Sequence, residues 1–275
     1  MTNLALQQDI GTIDKSRVAA AFSRSAQNYA EIALVQRSIA EQLARQVTVL
    51  PITGRIMDLG CGTGYLTRLL KKPQQQWLCV DLASGMLEHA SKLNQQCSHT
   101  RDCEYLQGDM EALPITENLL DTIVSSMALQ WAQSPQRVCA ELKRTLKPQG
   151  QAYLAILRHD ALPELRQGWQ SIGQSKRVNQ FATRHQWLSA AHSVGLKTAA
   201  VKQHDFVTEH TDIRTLLHSI RGIGAGVTRS PQLPLKRNDL HSLQRWWQQN
   251  HARENGLQLT YSVDFYHFQQ QSAGA

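Results

Sequence analysis

Arg55-Ile-Met-Asp-Leu-Gly-Cys-Gly-Thr-Gly-Tyr65 is the stretch from which the fold of this chain can be read. An apolar run of strand character reaches Asp58, three glycines follow at alternate positions, and from Tyr65 to Leu70 the apolar residues return at helical spacing. The pattern predicts a strand, a tight turn and a helix. Glycine at Gly60, Gly62 and Gly64 allows positive φ and lets the backbone approach a ligand that Cβ atoms would hold off.

Working outward, Trp77–Asp81 reads as a second strand, with Ser84-Gly-Met-Leu-Glu88 opening a helix after it. Cys103–Asp109 and Leu120–Ser125 read as the third and fourth strands, and Gln151–Leu157 as the fifth. Between the last two lies a helix over Gln136–Leu146, with Pro135 near its start and Lys147-Pro-Gln-Gly150 as its stop signal. Strands alternating with helices predict an α/β fold with a parallel sheet covered on both faces. Upstream, helical spacing runs through Val18, Phe22 and Tyr29 between Asp14 and Ala30, and a second helix is expected over Leu34–Val47, closed by Pro51 and Gly54. Downstream, helices are expected from Leu162, over Arg184–Val194, Ile213–Ile220 and Asn238–Asn250, with strands at Leu196–Val207 and Leu257–Phe268. The reading is one domain over 14–268: N-terminal helices 14–50, a ligand-binding core 51–157, and helical insertions at about 158–195 and 208–256. Residues 1–13 and 269–275 are expected to be disordered.

The glycines do not fit a nicotinamide fingerprint. Counting G-x-G-x-x-G from Gly60 or Gly62 puts Tyr65 or Thr67 in the third glycine's place, and no phosphate-loop pattern occurs. What accompanies them is an acid at the end of each successive strand: Asp58, Asp81 and Asp109. In an open parallel sheet ligands sit beyond the carboxyl ends of the strands, so these acids can share one crevice. S-adenosylmethionine suits the set, having ribose hydroxyls, an exocyclic amine and a cationic amino-acid end. Asp121 also lies in a strand-like run but reads as structural, and Gly54, Gly150 and Gly195 read as turn glycines.

Asp58-Leu-Gly-Cys-Gly-Thr-Gly64 resembles the first motif of class I S-adenosylmethionine-dependent methyltransferases. The resemblance implies a Rossmann-like sheet, mostly parallel with an antiparallel last strand, helices on both faces, and a helical insertion acting as a lid. It implies that Gly60, Cys61, Gly62 and Gly64 lie along the methionine moiety beside Asp58. By the same likeness Asp81 binds the ribose, Met86 packs near the adenine, and Asp109 with Met110 holds its amine and ring face.

A narrower likeness lies outside these motifs. Val18-Ala-Ala-Ala-Phe22 with Tyr29, Ala128-Leu-Gln-Trp131, Leu162-Pro-Glu-Leu165 with Trp169, Asn179-Gln-Phe181 and Arg221-Gly-Ile-Gly-Ala225 together resemble the malonyl-acyl-carrier-protein O-methyltransferases of biotin synthesis. Ser126 departs from that pattern, which has asparagine there, and leaves the local hydrogen bonding open. The likeness implies methylation of a malonyl carboxylate, with acyl carrier protein as partner. It implies Tyr29 near the methyl group, and the fold puts Gln130 and Trp131 beside the acceptor; Arg221, in the Gly-rich turn, is the candidate contact to the substrate's end or the carrier's phosphate, and reads otherwise as a solvent-facing arginine. Tyr29 reads equally as core, and Trp131 equally as the anchor of its loop.

A carboxyl group with a pKa of roughly 4 is ionised at neutral pH, so this chemistry needs no general base. A catalytic His or Cys is not expected. Cys61 reads as a small residue fitted into the turn, the five cysteines include no CxxC pair, and the eleven histidines show no metal spacing, so neither metal nor disulfide framework is expected. No window approaches the roughly 20 apolar residues of a membrane span, and Met1–Gly11 lacks a secretory pattern, which predicts a cytoplasmic protein. The net charge of +7 is uneven: residues 1–150 carry 15 Lys/Arg against 14 Asp/Glu, and residues 151–275 carry 14 against 8. A basic second half suits an acidic partner such as a carrier protein. It leaves open an RNA methyltransferase or a non-catalytic cofactor-binding module, although no base-pocket motif or aromatic-interleaved basic stripe appears. A quinone- or sterol-type methyltransferase is the nearer alternative; a carbon nucleophile would need a base that the motifs do not offer.

Overall fold

The computed structural model describes residues 13–47, 54–100, 102–220, 234–254 and 256–271. Strand β1 (Arg55–Leu59) lies at the middle of the sheet because its residues bury on both faces. It pairs in parallel with β2 (Gln76–Asp81) on one side and β4 (Leu120–Ser126) on the other. The sheet runs β3-β2-β1-β4-β5-β8-β6, with β3 (Glu104–Gln107), β5 (Leu146–Leu157), β6 (Leu196–His210) and β8 (Gly256–Gln270). Strand β8 is antiparallel to both β5 and β6, and a two-residue β7 (Ala252–Arg253) folds back on it as a hairpin. The chain leaves β1 one way and returns at β4 on the other side, which opens a crevice at their carboxyl ends.

Alternation along each strand divides the core. Trp77 and Cys79 of β2 face one apolar cluster, with Ile56, while Leu78 and Val80 face the other, with Met57 and Leu59. On the first face pack α2 (Leu34–Val47), α6 (Pro163–Ser171), α8 (Ile213–Ile220) and α9 (Arg237–Asn250), through Ile39, Leu43, Trp169, Leu216 and Trp247. On the second pack α5 (Pro135–Thr145) and α7 (Arg184–Ser193), through Val138, Leu142 and Trp187. Helix α3 (Tyr65–Leu70) follows the glycine turn, and α4 (Ser84–Gln95) follows β2. The adjacent tryptophans divide as their spacing requires: Trp247 is fully buried and donates Nε1–H to the Gln258 carbonyl at 2.7 Å, whereas Trp246 is half-buried. Glu164, buried at the start of α6, accepts from the Thr260 backbone N–H and hydroxyl and from Gln258, fastening that helix to β8.

Among the boundaries that differ from expectation, β6 runs on to His210 past the expected Val207. Lys147–Gly150 stops α5 as expected, but the stretch is already strand: β5 begins at Leu146, and a register shift between Leu120 and Thr122 absorbs the additional residues as a bulge. The last strand continues through Gln270, so Gln269 and Gln270 pair with Gln151, Lys197 and Leu196 where a disordered tail was expected. Residues 1–12 and 272–275 lie outside the described residues. Asp121 is structural, as read: its Oδ2 accepts from the Arg55 backbone N–H at 2.8 Å and from Lys147 Nζ at 2.7 Å. Among the described residues no helix is long and apolar enough to cross a membrane.

Helix α1 (Lys15–Ile32) is not part of the sheet's covering layers. Asp14 caps it by accepting from Arg17 N–H. It lies across the crevice, with Ala26 against Ala83 and Met86, Phe22 edge-on to Trp131 at 5.7 Å, and Ser23 Oγ accepting from the Gly85 backbone N–H.

Candidate active site

The turn after β1 is built by backbone hydrogen bonds that only its glycines permit. Gly60 and Cys61 N–H both donate to the Val80 carbonyl, at 2.7 and 3.0 Å. Gly60 has φ +72°, and a Cβ there would stand 2.1 Å from the Ala128 Cβ. Gly62 has φ +53°, and a Cβ there would meet nothing within 4 Å, so this residue opens onto space. Gly64 starts α3 with φ +75°.

Asp81 braces the turn from β2. One carboxylate oxygen accepts from Gly62 N–H at 2.9 Å and the other from Ala83 N–H at 2.8 Å. Burial raises its pKa, and those two donors oppose the rise. Asp58 is 1 % exposed and accepts from the Thr67 hydroxyl at 2.7 Å. Burial pushes its carboxyl up to about 7; the Thr67 hydrogen bond works against this and the Asp81 charge adds to it. At Cys61 a hydrogen bond with Cys79 lowers the thiol's pKa, but burial and the two carboxylates prevail and leave it at about 11. A thiol so raised stays protonated at neutral pH.

At the end of β3, Asp109 accepts from Glu111 N–H at 3.0 Å and from Lys15 Nζ at 2.6 Å. Glu111, buried, also pairs with Lys15 and accepts from Ser134 N–H. These contacts tie the start of α1 to the strand-end loop, while Gln133 Nε2 donates to the Ile13 carbonyl at 2.7 Å.

One cavity gathers most of the sequence-derived residues. Asp58, Gly60, Cys61, Gly62, Asp81, Met86, Asp109, Met110, Tyr29 and Trp131 all line it. Gly64 does not; it shapes the start of α3. Burial, reinforced by the Asp81 charge, raises the Tyr29 phenol far above its ordinary value, which keeps it neutral at physiological pH. Gln130 lines a second cavity, and its Nε2 donates to the Met127 carbonyl at 2.6 Å. Arg221 lies outside the described residues. Among the described residues no group of acids, histidines and cysteines could hold a metal ion.

The two cavities adjoin, sharing Phe22, Tyr29, Gln36, Met127 and Trp131. The second is walled by Leu162, Leu165, Trp169, Phe181 and Leu217 with Arg17, Arg177 and Arg214, and none of its described lining residues is an acid. Arg177 packs over the Trp169 ring at 5.2 Å. Several residues of this arrangement escaped the sequence reading: Lys15, Gln36 and Arg37. Only Gln36 carried a signal, as a polar residue within the buried stripe Val35, Ile39, Ala40 and Leu43. The Ser126 hydroxyl, where the departure from pattern fell, is buried in the first cavity with no hydrogen-bond partner among the described residues.

A family model described as a methyltransferase domain matches residues 57–154, the span from β1 through β5 that carries the glycine turn and the strand-end acids. The malonyl-[acyl-carrier protein] O-methyltransferase of Herminiimonas arsenicoxydans is 34 % identical over 257 residues, covering 92 % of this chain and 95 % of that protein. The protein of the same name from Erwinia pyrifoliae is 34 % identical over 257 residues, covering 92 % of each chain. Among solved structures, the YcgJ protein of Bacillus subtilis superposes with a TM-score of 0.61 at 15 % identity, over 85 % of this chain and 99 % of that one, a likeness of fold. The likeness to the curated proteins reaches well beyond the methyltransferase core, and by it this chain belongs to the malonyl-[acyl-carrier protein] O-methyltransferases, among the class I S-adenosylmethionine-dependent methyltransferases.

Proposed function

We propose that this protein transfers a methyl group from S-adenosylmethionine to the free carboxylate of a malonyl group carried on acyl carrier protein. The ester so made can be elongated toward the biotin precursor as an uncharged primer. The observation that carries this reading is the pair of adjoining cavities: one at the strand ends, lined by the glycine turn and the strand-end acids, and a second with arginines and no described acid in its lining.

The first cavity suits the cofactor. Gly62 leaves room where any other residue would project a Cβ. Asp81 supports the turn and retains lone pairs for ribose hydroxyls. Asp109 keeps acceptor capacity for the adenine amine, and Met86 and Met110 supply apolar walls. When bound, S-adenosylmethionine supplies an electrophilic methyl group on a sulfonium, and leaves as S-adenosylhomocysteine. The chain's own task is alignment at the shared wall and exclusion of water by α1, and positioning of that kind supplies up to about 7–11 kcal/mol in favourable cases. No metal and no general base are assigned roles.

Arg17, Arg177 and Arg214 make the second cavity attractive to a negatively charged substrate arm, and the basic second half of the chain favours an acidic carrier. The helical insertions at about 158–195 and 208–256 are the proposed docking side, with Arg221 as a contact to the substrate end or carrier phosphate. Transfer of label from methyl-labelled cofactor to malonyl-carrier, malonyl-CoA and bulk RNA, assayed side by side, tests the reading. Label in base-labile methyl ester on the malonyl thioester supports it, and label in RNA alone refutes it. Restoration of biotin-free growth to a strain lacking the enzyme is the matching genetic test.

A further inference from the structure

Gln36 sits in α2 at 8 % exposure, and neither its amide nitrogen nor its amide oxygen has a hydrogen-bond partner among the described residues. Burying an unpaired amide is costly, and a protein interior rarely carries one without a ligand to complete it. Its neighbours along the helix, Val35, Ile39, Ala40 and Leu43, are apolar and packed into the core, so a leucine at this position would satisfy the fold better than glutamine does. The side chain lines both cavities. At that shared wall the other members are Phe22, Met127, Trp131 and the Tyr29 phenol, so the passage holds neutral polar groups in an apolar ring and no charged side chain.

Resting on the proposed carboxylate methylation, we propose that the Gln36 side-chain amide is the substrate-binding donor that holds the acceptor carboxylate where the cavities meet. The chemistry explains why the donor is neutral. An anionic oxygen and a cationic sulfonium become an ester and a thioether: the new O–C bond forms as the old S–C bond breaks, the electron pair stays on sulfur, and no proton moves. Charge disappears along this path. A fixed cation at the oxygen would stabilise the ionic reactants more than the transition state, whereas an amide N–H orients the carboxylate at little such cost. The arginines of the second cavity lie outside the shared wall, where they can attract the substrate without bearing on the reacting oxygen.

The test uses the full chain with Gln36→Leu and Gln36→Glu, reading three quantities: kcat/KM for the malonyl thioester, malonyl-CoA binding to protein saturated with S-adenosylhomocysteine, and S-adenosylhomocysteine affinity. Gln36→Leu is expected to lower kcat/KM roughly 10- to 100-fold, as loss of a hydrogen bond to a charged group does, and to weaken malonyl-CoA binding. Its S-adenosylhomocysteine affinity stays within about 2-fold and its melting temperature does not fall. In Gln36→Glu only the protonated acid can donate, so its kcat/KM rises as pH falls from 8 to 6, a trend the parent enzyme lacks. Turnover by Gln36→Leu within about 2-fold of the parent overturns the assignment. So does a loss of S-adenosylhomocysteine affinity in step with turnover, which makes Gln36 a cofactor residue, or a pH profile of Gln36→Glu parallel to the parent's. If the parent protein binds S-adenosylhomocysteine but transfers no methyl to any malonyl thioester, the proposed function itself falls, and the carboxylate assignment with it.

Discussion

Replacing Asp58 by asparagine should stabilise this protein at pH 8 and do so much less at pH 5. Asp58 is fully buried, with the Thr67 hydroxyl as its hydrogen-bond donor and Asp81 as a like-charged neighbour, and its carboxyl is pushed up from 3.8 to about 7. The native state therefore holds a proton between about pH 4 and pH 7 that the unfolded chain has released, and stability falls as pH rises through that window. Three units at about 1.4 kcal/mol each make a cost of about 4 kcal/mol, fully present above pH 7 and absent below pH 4. Asparagine keeps the shape without the charge. Between pH 5 and pH 8 the stability of Asp58→Asn relative to the parent should rise by roughly 3 kcal/mol, which for a chain of this size is roughly 5 to 10 °C in melting temperature. Thermal unfolding of ligand-free protein at the two pH values measures it, since other groups titrate alike in both proteins. A cationic cofactor in the same cavity favours the ionised acid. Its binding to the parent should release close to one proton at about pH 6 and almost none at pH 8.5, measured by calorimetry in buffers of different ionisation enthalpy. A stability difference between the two proteins that is flat with pH, or that shrinks as pH rises, refutes the reasoning.

Gly60→Ala and Gly62→Ala should fail differently: the first drives a Cβ onto Ala128 and costs about 3 kcal/mol or more by thermal unfolding, while the second meets open space, costs about 1 kcal/mol in left-handed strain, and loses cofactor affinity instead. Tyr29→Phe should keep its melting temperature and lose about tenfold in kcat, the worth of one hydrogen bond, with unchanged turnover meaning that Tyr29 only packs. KM for malonyl-carrier should rise with ionic strength between low and physiological salt while KM for S-adenosylmethionine does not, and a flat carrier KM removes electrostatic steering from the account.

The parallel core was legible because its central strands are buried on both faces and their apolar runs are short, separated by turn residues and followed by helical spacing. Helix α2 and helix α8 were legible to the residue. The bulge at Lys147–Gly150 was not, since proline and paired polar residues also end helices, and only pairing with β4 shows that the stretch is strand. The last strand was cut short at Phe268 because three glutamines signal low complexity in sequence, whereas the ladder with β5 and β6 satisfies their backbone groups. The strand-end acids could be named from the glycine turn, but their partners could not. Lys15 reaches Asp109 across 94 residues, and no local pattern encodes that contact. Gln36 was visible only as an interruption of an apolar stripe, and only the two cavities give that interruption a meaning.

Helix α1 closes the cofactor cavity through Lys15 and Ser23, and it also contributes Arg17, Phe22 and Tyr29 to the cavity beyond. A single element thus walls both compartments. If spent cofactor is exchanged past α1, the ion pairs to Asp109 and Glu111 must break, and that movement would open the acceptor's wall at the same moment. The expected consequence is ordered release, with product ester leaving before S-adenosylhomocysteine, and product-inhibition patterns that fit random release would refute it.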